Sequence, residues 1–255
     1  MFRRLVPLNR HEHADLRVRP LDHFRFADRF HIASIMTHEF MRAASVYPII
    51  FLEEQATDGF RPVVLMGLKE GSNLFVGPDG RWRASYVPAI IRRHPFALAR
   101  DNRQAADQLS VCVDVDSEFV SRSEGRPLFG PEGEPTEVTE HVKRYLGELQ
   151  ALERFTRDCC RLLAEHNLFT PLNMRVRYRE RLKNVTGAYV VNEQRLKRLS
   201  DSTFSELRSR DYLPAIYAHL TSLAQVERLM MLQDGLDSLT RSEAEQRASD
   251  DIPIH

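Results

Sequence analysis

Tyr86-Val87-Pro88-Ala89-Ile90-Ile91-Arg92-Arg93-His94-Pro95-Phe96-Ala97-Leu98 is the stretch on which the fold turns. Its thirteen positions hold two prolines, two arginines, a histidine and a run of apolar residues. Each proline lacks an N–H and restricts the residue before it, so neither a plain surface strand nor a plain surface helix fits. The pattern predicts a fixed corner: a short helical turn over residues 89–93, then an extended segment from Phe96 to Leu98. One side of the corner is apolar and belongs in the core. The other side is cationic and free to meet a ligand or partner.

Upstream, the chain predicts a sheet-rich module over residues 1–120. A short helix is expected over residues 34–44, with Ile35, Phe40 and Met41 on its apolar side. Strands are expected over residues 47–52 and 63–68, with Pro48 suited only to a strand start or an edge. Gly77-Pro78-Asp79-Gly80 is a strong turn signal and predicts a hairpin between residues 73–76 and 81–87. Residues 109–116 alternate, with Leu109, Val111, Val113 and Val115 on one face and Cys112, Asp114 and Asp116 on the other. That alternation predicts a half-buried strand with its acids on a solvated face.

Residues 121–136 form a polar connector rich in glycine and proline. Downstream lies a helix-rich module over residues 137–233, which can share one core with the first. Its most secure element is a helix over residues 139–166, with Val142, Tyr145, Leu146, Leu149, Leu152, Phe155, Cys159, Leu162 and Leu163 at helical spacing. Residues 174–178 and 185–191 read as paired strands, and Asn192 as the cap of the next helix. Residues 204–212 and 214–232 read as helices. The polar run over residues 234–255 is expected to be frayed or disordered. The predicted fold class is α+β.

Composition narrows the function classes. The 255 residues are 42% hydrophobic, enough for one large core or two small ones. Lys plus Arg and Asp plus Glu are both 36, so no global field draws the chain to nucleic acid or to an anionic membrane. No apolar run is long enough to span a bilayer, the first residues do not read as a signal peptide, and the expected location is cytoplasmic. Cys112, Cys159 and Cys160 lack CxxC spacing and read as small buried residues of a reducing compartment. There is no GxGxxG, GxxxxGK[ST] or GxSxG motif, and His38-Glu39 is not followed by the second histidine of HExxH.

The landmarks together resemble the SapC family, named for a protein encoded with S-layer secretion genes. They include Leu5-Val6-Pro7-Leu8-Asn9, Tyr47-Pro48-Ile49, Phe60-Arg61-Pro62-Val63 and Gly71-Ser72-Asn73-Leu74-Phe75-Val76. They continue through Gly80-Arg81-Trp82, the stretch from Tyr86 to Leu98, and Leu213-Pro214-Ala215-Ile216-Tyr217-Ala218-His219-Leu220. The resemblance implies an association with export. Related genes also lie near oxygenase-like and halogenase-like genes, which implies an accessory role. It carries no set of catalytic residues to these positions.

Arg92, Arg93 and His94 are the leading candidate site. Two guanidiniums beside an imidazole can clamp a carboxylate or phosphate. The structural alternative pairs one arginine with an acid and His94 with a carbonyl. Arg175, Arg177 and Arg179 fall on one face of their strand and can meet an anionic peptide or acidic partner; the alternative is a solvated face balanced by neighbouring acids. No nucleic-acid reader motif accompanies them. Asp114 and Asp116 can divide acid and base roles or bind a metal, provided His94 or His219 approaches them. Otherwise they are solvating acids, and His219 belongs to an internal hydrogen-bond network beside a packed Tyr217 and Ala218. His11, Glu12 and His13 read as a solvated turn.

The leading function is a nonenzymatic accessory or binding protein for peptide handling, maturation or export. Its partner is a peptide or protein, or a small anionic ligand, and no cofactor or metal is predicted. The competing readings are a metal- or cofactor-dependent enzyme using His94 or His219 with Asp114 or Asp116, and an oligomeric adaptor built on the long helix.

Overall fold

The computed structural model of the protein describes residues 1–55, 59–100, 109–172, 174–178, 181–185 and 187–250. In chain order the strands are β1 (Leu5–Pro7), β2 (Arg17–Val18), β3 (Ile32–Ser34), β4 (Ile49–Glu54), β5 (Gly59–Leu65), β6 (Phe96–Arg100), β7 (Leu109–Asp114), β8 (Val120–Ser121) and β9 (Arg126–Pro127). They continue with β10 (Phe169–Pro171), β11 (Met174–Tyr178), β12 (Arg181–Val185) and β13 (Ala188–Val191). The helices are α1 (Arg10–His13), α2 (Phe40–Ala43), α3 (Ala89–Arg92), α4 (Glu137–Glu165), α5 (Glu193–Lys197), α6 (Asp201–Ser209), α7 (Leu213–Ser222) and α8 (Gln225–Asp250). The architecture is α+β, strand-rich toward the N-terminus and helix-rich from α5 onward.

A five-stranded sheet in the order β10-β13-β4-β5-β3 and a three-stranded sheet in the order β1-β7-β6 carry the two hydrophobic clusters. The hairpin β4–β5 pairs Ile49 with Val64 and closes at Glu54 opposite Gly59. Pro62 is tolerated inside this sheet for a geometric reason. Pairs at the register of Pro48–Leu65 point their N–H groups toward β4, so Pro62, three residues away, points toward β3. There its carbonyl accepts Ile35 N–H at 3.2 Å, and β3 has already ended at Ser34, so no ladder bond is lost.

The largest cluster draws on both ends of the chain, because β13 pairs with β4 and α7 packs against both. The β4–β13 ladder holds at Leu52–Ala188 and Phe51–Tyr189, and then His219 enters between the strands. Its Nε2 accepts Val191 N–H at 3.0 Å, and its Nδ1 donates to Ile49 C=O at 2.9 Å. Ser222 Oγ, one turn on, accepts Ile49 N–H at 2.9 Å and donates to His219 C=O. Two side chains of one helix thus supply the partners that a continued ladder would have supplied. Burial lowers the His219 pKa to about 4, against the effect of the Ile49 carbonyl.

Several expected elements differ. The helix over residues 34–44 is split, since β3 still pairs at Ser34 and only Thr37–Glu39 and α2 are helical. The hairpin around Gly77–Gly80 reduces to the turn and one bridge, Val76 to Trp82, because the chain then enters the corner. β11 pairs with β12, with Arg175 opposite Asn184 and Arg177 opposite Leu182, while β13 pairs with β10 and β4. A glycine with φ of 77°, Gly187, marks the point where the pairing changes. Arg179 lies outside the described residues. The polar run after Asp234 continues as helix α8 to Asp250, in keeping with its alanine, glutamate, glutamine and arginine content. Tyr217 is exposed rather than packed, whereas Ala218 is buried.

The corner is held from Glu39, which is 1% exposed. One carboxylate oxygen accepts Met36 N–H at 2.9 Å; the other accepts Tyr86 O–H at 2.6 Å and Ala89 N–H at 2.8 Å. Glu39→Ala strands three buried donors, each worth about 1–3 kcal/mol when left unpaired. Urea denaturation is expected to show a loss of at least about 3 kcal/mol, and a variant within about 0.5 kcal/mol of wild type would refute this role. His219 generates a second expectation. Its folded-state pKa of about 4 lies below the ordinary imidazole value of 6.5, so the unfolded chain binds the extra proton. Its stabilisation is complete above pH 6.5 and is lost as pH falls toward 4, at up to about 1.4 kcal/mol per pH unit. In His219→Gln, the slope of urea stability against pH in that window is expected to fall by one proton; an unchanged slope would show that His219 does not titrate on unfolding.

Candidate functional site

The corner is built in layers. Trp82 Nε1 donates to Tyr47 Oη at 2.9 Å and to Tyr86 C=O at 2.9 Å, and Tyr47 O–H donates to the same carbonyl. Tyr47 is fully buried, and burial pushes its phenol pKa upward. Tyr86 is also raised, by burial and then by its bond to Glu39. Pro88 is extended and opens α3, its carbonyl accepting Ile91 and Arg92 N–H. Ala89 and Ile91 point inward, Arg92 outward, and the chain then passes Arg93, His94 and a cis bond to Pro95 before entering β6.

The two arginines take different positions. Arg92 is exposed, donates from Nε to Val87 C=O at 3.0 Å, and lies 5.8 Å and 6.0 Å from the ring centres of Tyr86 and Tyr145. Arg93 is half-buried, with its guanidinium carbon 5.8 Å from the Phe2 ring centre. Burial lowers its pKa, and Glu153 and then Tyr145 oppose that shift. Among the described residues neither arginine forms an ion pair, and Arg93 Nε is buried without a hydrogen-bond partner. The expected acid partner of the structural alternative is therefore not found.

His94 is 5% exposed and stacks on Phe26 at 4.1 Å. Its Nε2 lies 2.9 Å from Ser117 Oγ, and its Nδ1 is buried without a partner. Ser117 Oγ also accepts Phe119 N–H, which ties the loop after β7 to the His94 ring. Burial lowers the His94 pKa to about 4, although Asp114 acts to raise it.

Asp114 corrects an expectation, because it is 1% exposed rather than on a solvated face. Its two oxygens accept the N–H groups of Arg3 and Arg4 at 2.9 Å and 2.8 Å, so it anchors the segment that enters β1. Asp116 is exposed and pairs with Arg4 at 2.9 Å. His94 and Asp114 are electrostatic neighbours, whereas the hydrogen-bond partners of His219 all lie in α7 and the five-stranded sheet. Sequence reasoning weighed Glu39 only as part of an absent HExxH motif and missed its role in the corner, and it missed the hydroxyl of Tyr145, which sits within an apolar helical stripe. Tyr145 Oη is also buried without a partner, and burial raises its pKa. His13, expected in a solvated turn, is buried, and its Nδ1 accepts Asn9 N–H at 3.1 Å.

Arg93, His94 and Tyr145 line one cleft of about 320 Å³. His141, Val142, Tyr145 and Leu146 of α4 form one wall at helical spacing, and the corner forms the other. Three arginines, Arg19, Arg92 and Arg93, and two histidines, His94 and His141, line it, with no carboxylate among the lining residues. A second cavity of about 410 Å³ lies further along α4, and both are lined by Arg93 and Leu146. Among the described residues there is no group of three or more His, Cys, Asp or Glu placed to hold a metal ion, and the three cysteines are buried and form no disulfide. No helix among them is long and apolar enough to cross a membrane.

No curated protein and no solved structure matches the chain. The SapC family model matches residues 8–229, a span that takes in both sheets, the corner, α4 and α7. By that match over most of its length, the chain belongs to the SapC family.

Proposed function

We propose that the protein is a nonenzymatic accessory protein that recognises an acidic group of a peptide or protein partner in the cleft between the corner and α4. The observation that carries this reading is that Arg93, His94 and Tyr145 line one cleft with no carboxylate among its lining residues, and that each of the three carries a buried polar atom without a partner, Nε, Nδ1 and Oη respectively. All three can donate, and a carboxylate presents only acceptors. Peptide handling, maturation or export is the setting in keeping with the family's export association.

The enzyme reading draws less support. Asp114, whose charge acts on His94, spends one bond of each oxygen on the backbone of Arg3 and Arg4 and makes no hydrogen bond to the ring, whose Nε2 meets Ser117 and whose Nδ1 has no partner. The burial of Arg93 without an ion pair instead suits a residue kept ready for an incoming anion.

Arg93→Met separates binding from structure, because methionine keeps the apolar stem and removes the desolvated charge. The variant is expected to be as stable as wild type within about 1 kcal/mol, or more stable. Its affinity for a pool of labelled acidic peptides, read by fluorescence anisotropy, is expected to fall at least about tenfold. Wild type is expected to prefer that pool to a matched basic pool, and to bind it more weakly as salt rises. Retained affinity in a folded variant would overturn the binding reading, and a loss of several kcal/mol would make Arg93 structural.

A further inference from the structure

The 410 Å³ cavity beside the cleft meets two strand edges. Among the described residues β6 is the outer strand of its sheet and β3 the outer strand of the other. In β6 the pairing of Asp114 N–H with Pro95 C=O sets the alternation, so Ala97 and Ala99 point their backbone groups at β7 and Phe96 and Leu98 point theirs outward. Phe96 N–H is used by Arg93 C=O, which leaves Phe96 C=O and both groups of Leu98 along the open edge. In β3 the bonds at Ile35 and His31 leave the backbone of Ser34 outward by the same rule. Leu98 and Ser34 both line the 410 Å³ cavity. Its apolar lining comes from Ile35, Met36, Pro62, Ile90, Leu146 and Leu149, and Glu54, Arg61, Glu153 and Arg157 line it as well.

We infer that the partner's free C-terminal end adds to β6 as an antiparallel strand, with its last side chain, an apolar one, in this cavity and its terminal carboxylate on the cleft side of Arg93. The inference rests on the acidic-group reading above and names which acidic group is read. Direction supports it. β6 runs away from Arg93, so an antiparallel strand ends beside Arg93, whereas a parallel one would bring its ammonium there. Charge supports the placement too. Glu153 acts on Arg93 from the larger cavity, while no acid lines the cleft. Strand addition supplies main-chain hydrogen bonds, and the cavity selects one side chain, a known division of labour in peptide recognition.

The test is selection from a random peptide library displayed with free C-termini on the full-length protein. The strongest binder is then synthesised as the free acid and as the amide. The expected result is an apolar last residue and at least about tenfold weaker binding of the amide. Leu98→Pro is expected to weaken the free acid similarly, since it removes an outward N–H and spares the β6–β7 ladder. The amide comparison uses wild-type protein and decides the matter even if that variant misfolds. Binders that tolerate amidation but still need Arg93 overturn the C-terminal inference and leave the acidic-group reading standing. Recovery of no peptide overturns both. Binding of decanoate with no peptide recovered also overturns the inference, in favour of a free amphipathic acid.

Discussion

Glu39 is the constraint on which the corner depends. A carboxylate buried this deeply is tolerable only when donors surround it. It has three, from Met36 on its own turn, from the Tyr86 ring and from the first turn of α3. The turn that carries it is itself tied to α4, because Thr37 N–H donates to Thr156 Oγ1 at 3.0 Å. A connection therefore runs from the long helix through the Thr156–Thr37 hydrogen bond, along the Thr37–Glu39 turn and through the Glu39–Ala89 hydrogen bond to the corner. The corner's two prolines restrict local dihedrals, but Glu39 sets its position relative to α4.

Two buried histidines show how the same desolvation serves different ends. His219 has a partner on each ring nitrogen and joins a helix to two strands that would otherwise separate with unpaired backbone groups. His94 is shifted in the same direction, to about the same value, yet has one nitrogen unpaired. Burial alone therefore does not mark a site. The difference lies in whether the hydrogen-bonding capacity of the ring is filled, and that becomes visible only when the neighbours are in place.

Much of the fold was legible in local pattern. The apolar stripe of α4, the Asn192 cap, the helical turn after Pro88 and the alternating strand before Asp114 all follow from short-range periodicity and capping chemistry. Partnering over distance was not legible. Nothing near Asp114 says that the backbone of Arg3 and Arg4 will bury it, and nothing near residues 185–191 says that β4 will take that strand from β11. The site followed the same division. Arg92, Arg93 and His94 stood out through their odd composition, whereas Glu39 matters through donors some fifty residues away and Tyr145 through a hydroxyl inside an apolar stripe, where pattern reading counts only the apolar neighbours.

Arg93 expresses the tension between stability and binding most directly. A desolvated guanidinium with an unpaired Nε destabilises the folded chain relative to an apolar side chain of similar volume. The fold nevertheless places it between two cavities, beside an unpaired tyrosine hydroxyl and an unpaired imidazole nitrogen. One such group is an ordinary imperfection of a folded protein. Three such groups, on residues that line one cleft with no carboxylate among its lining residues, concentrate the penalty in one place. That concentration, more than the count of positive charges, separates this cleft from the other basic surfaces of the chain.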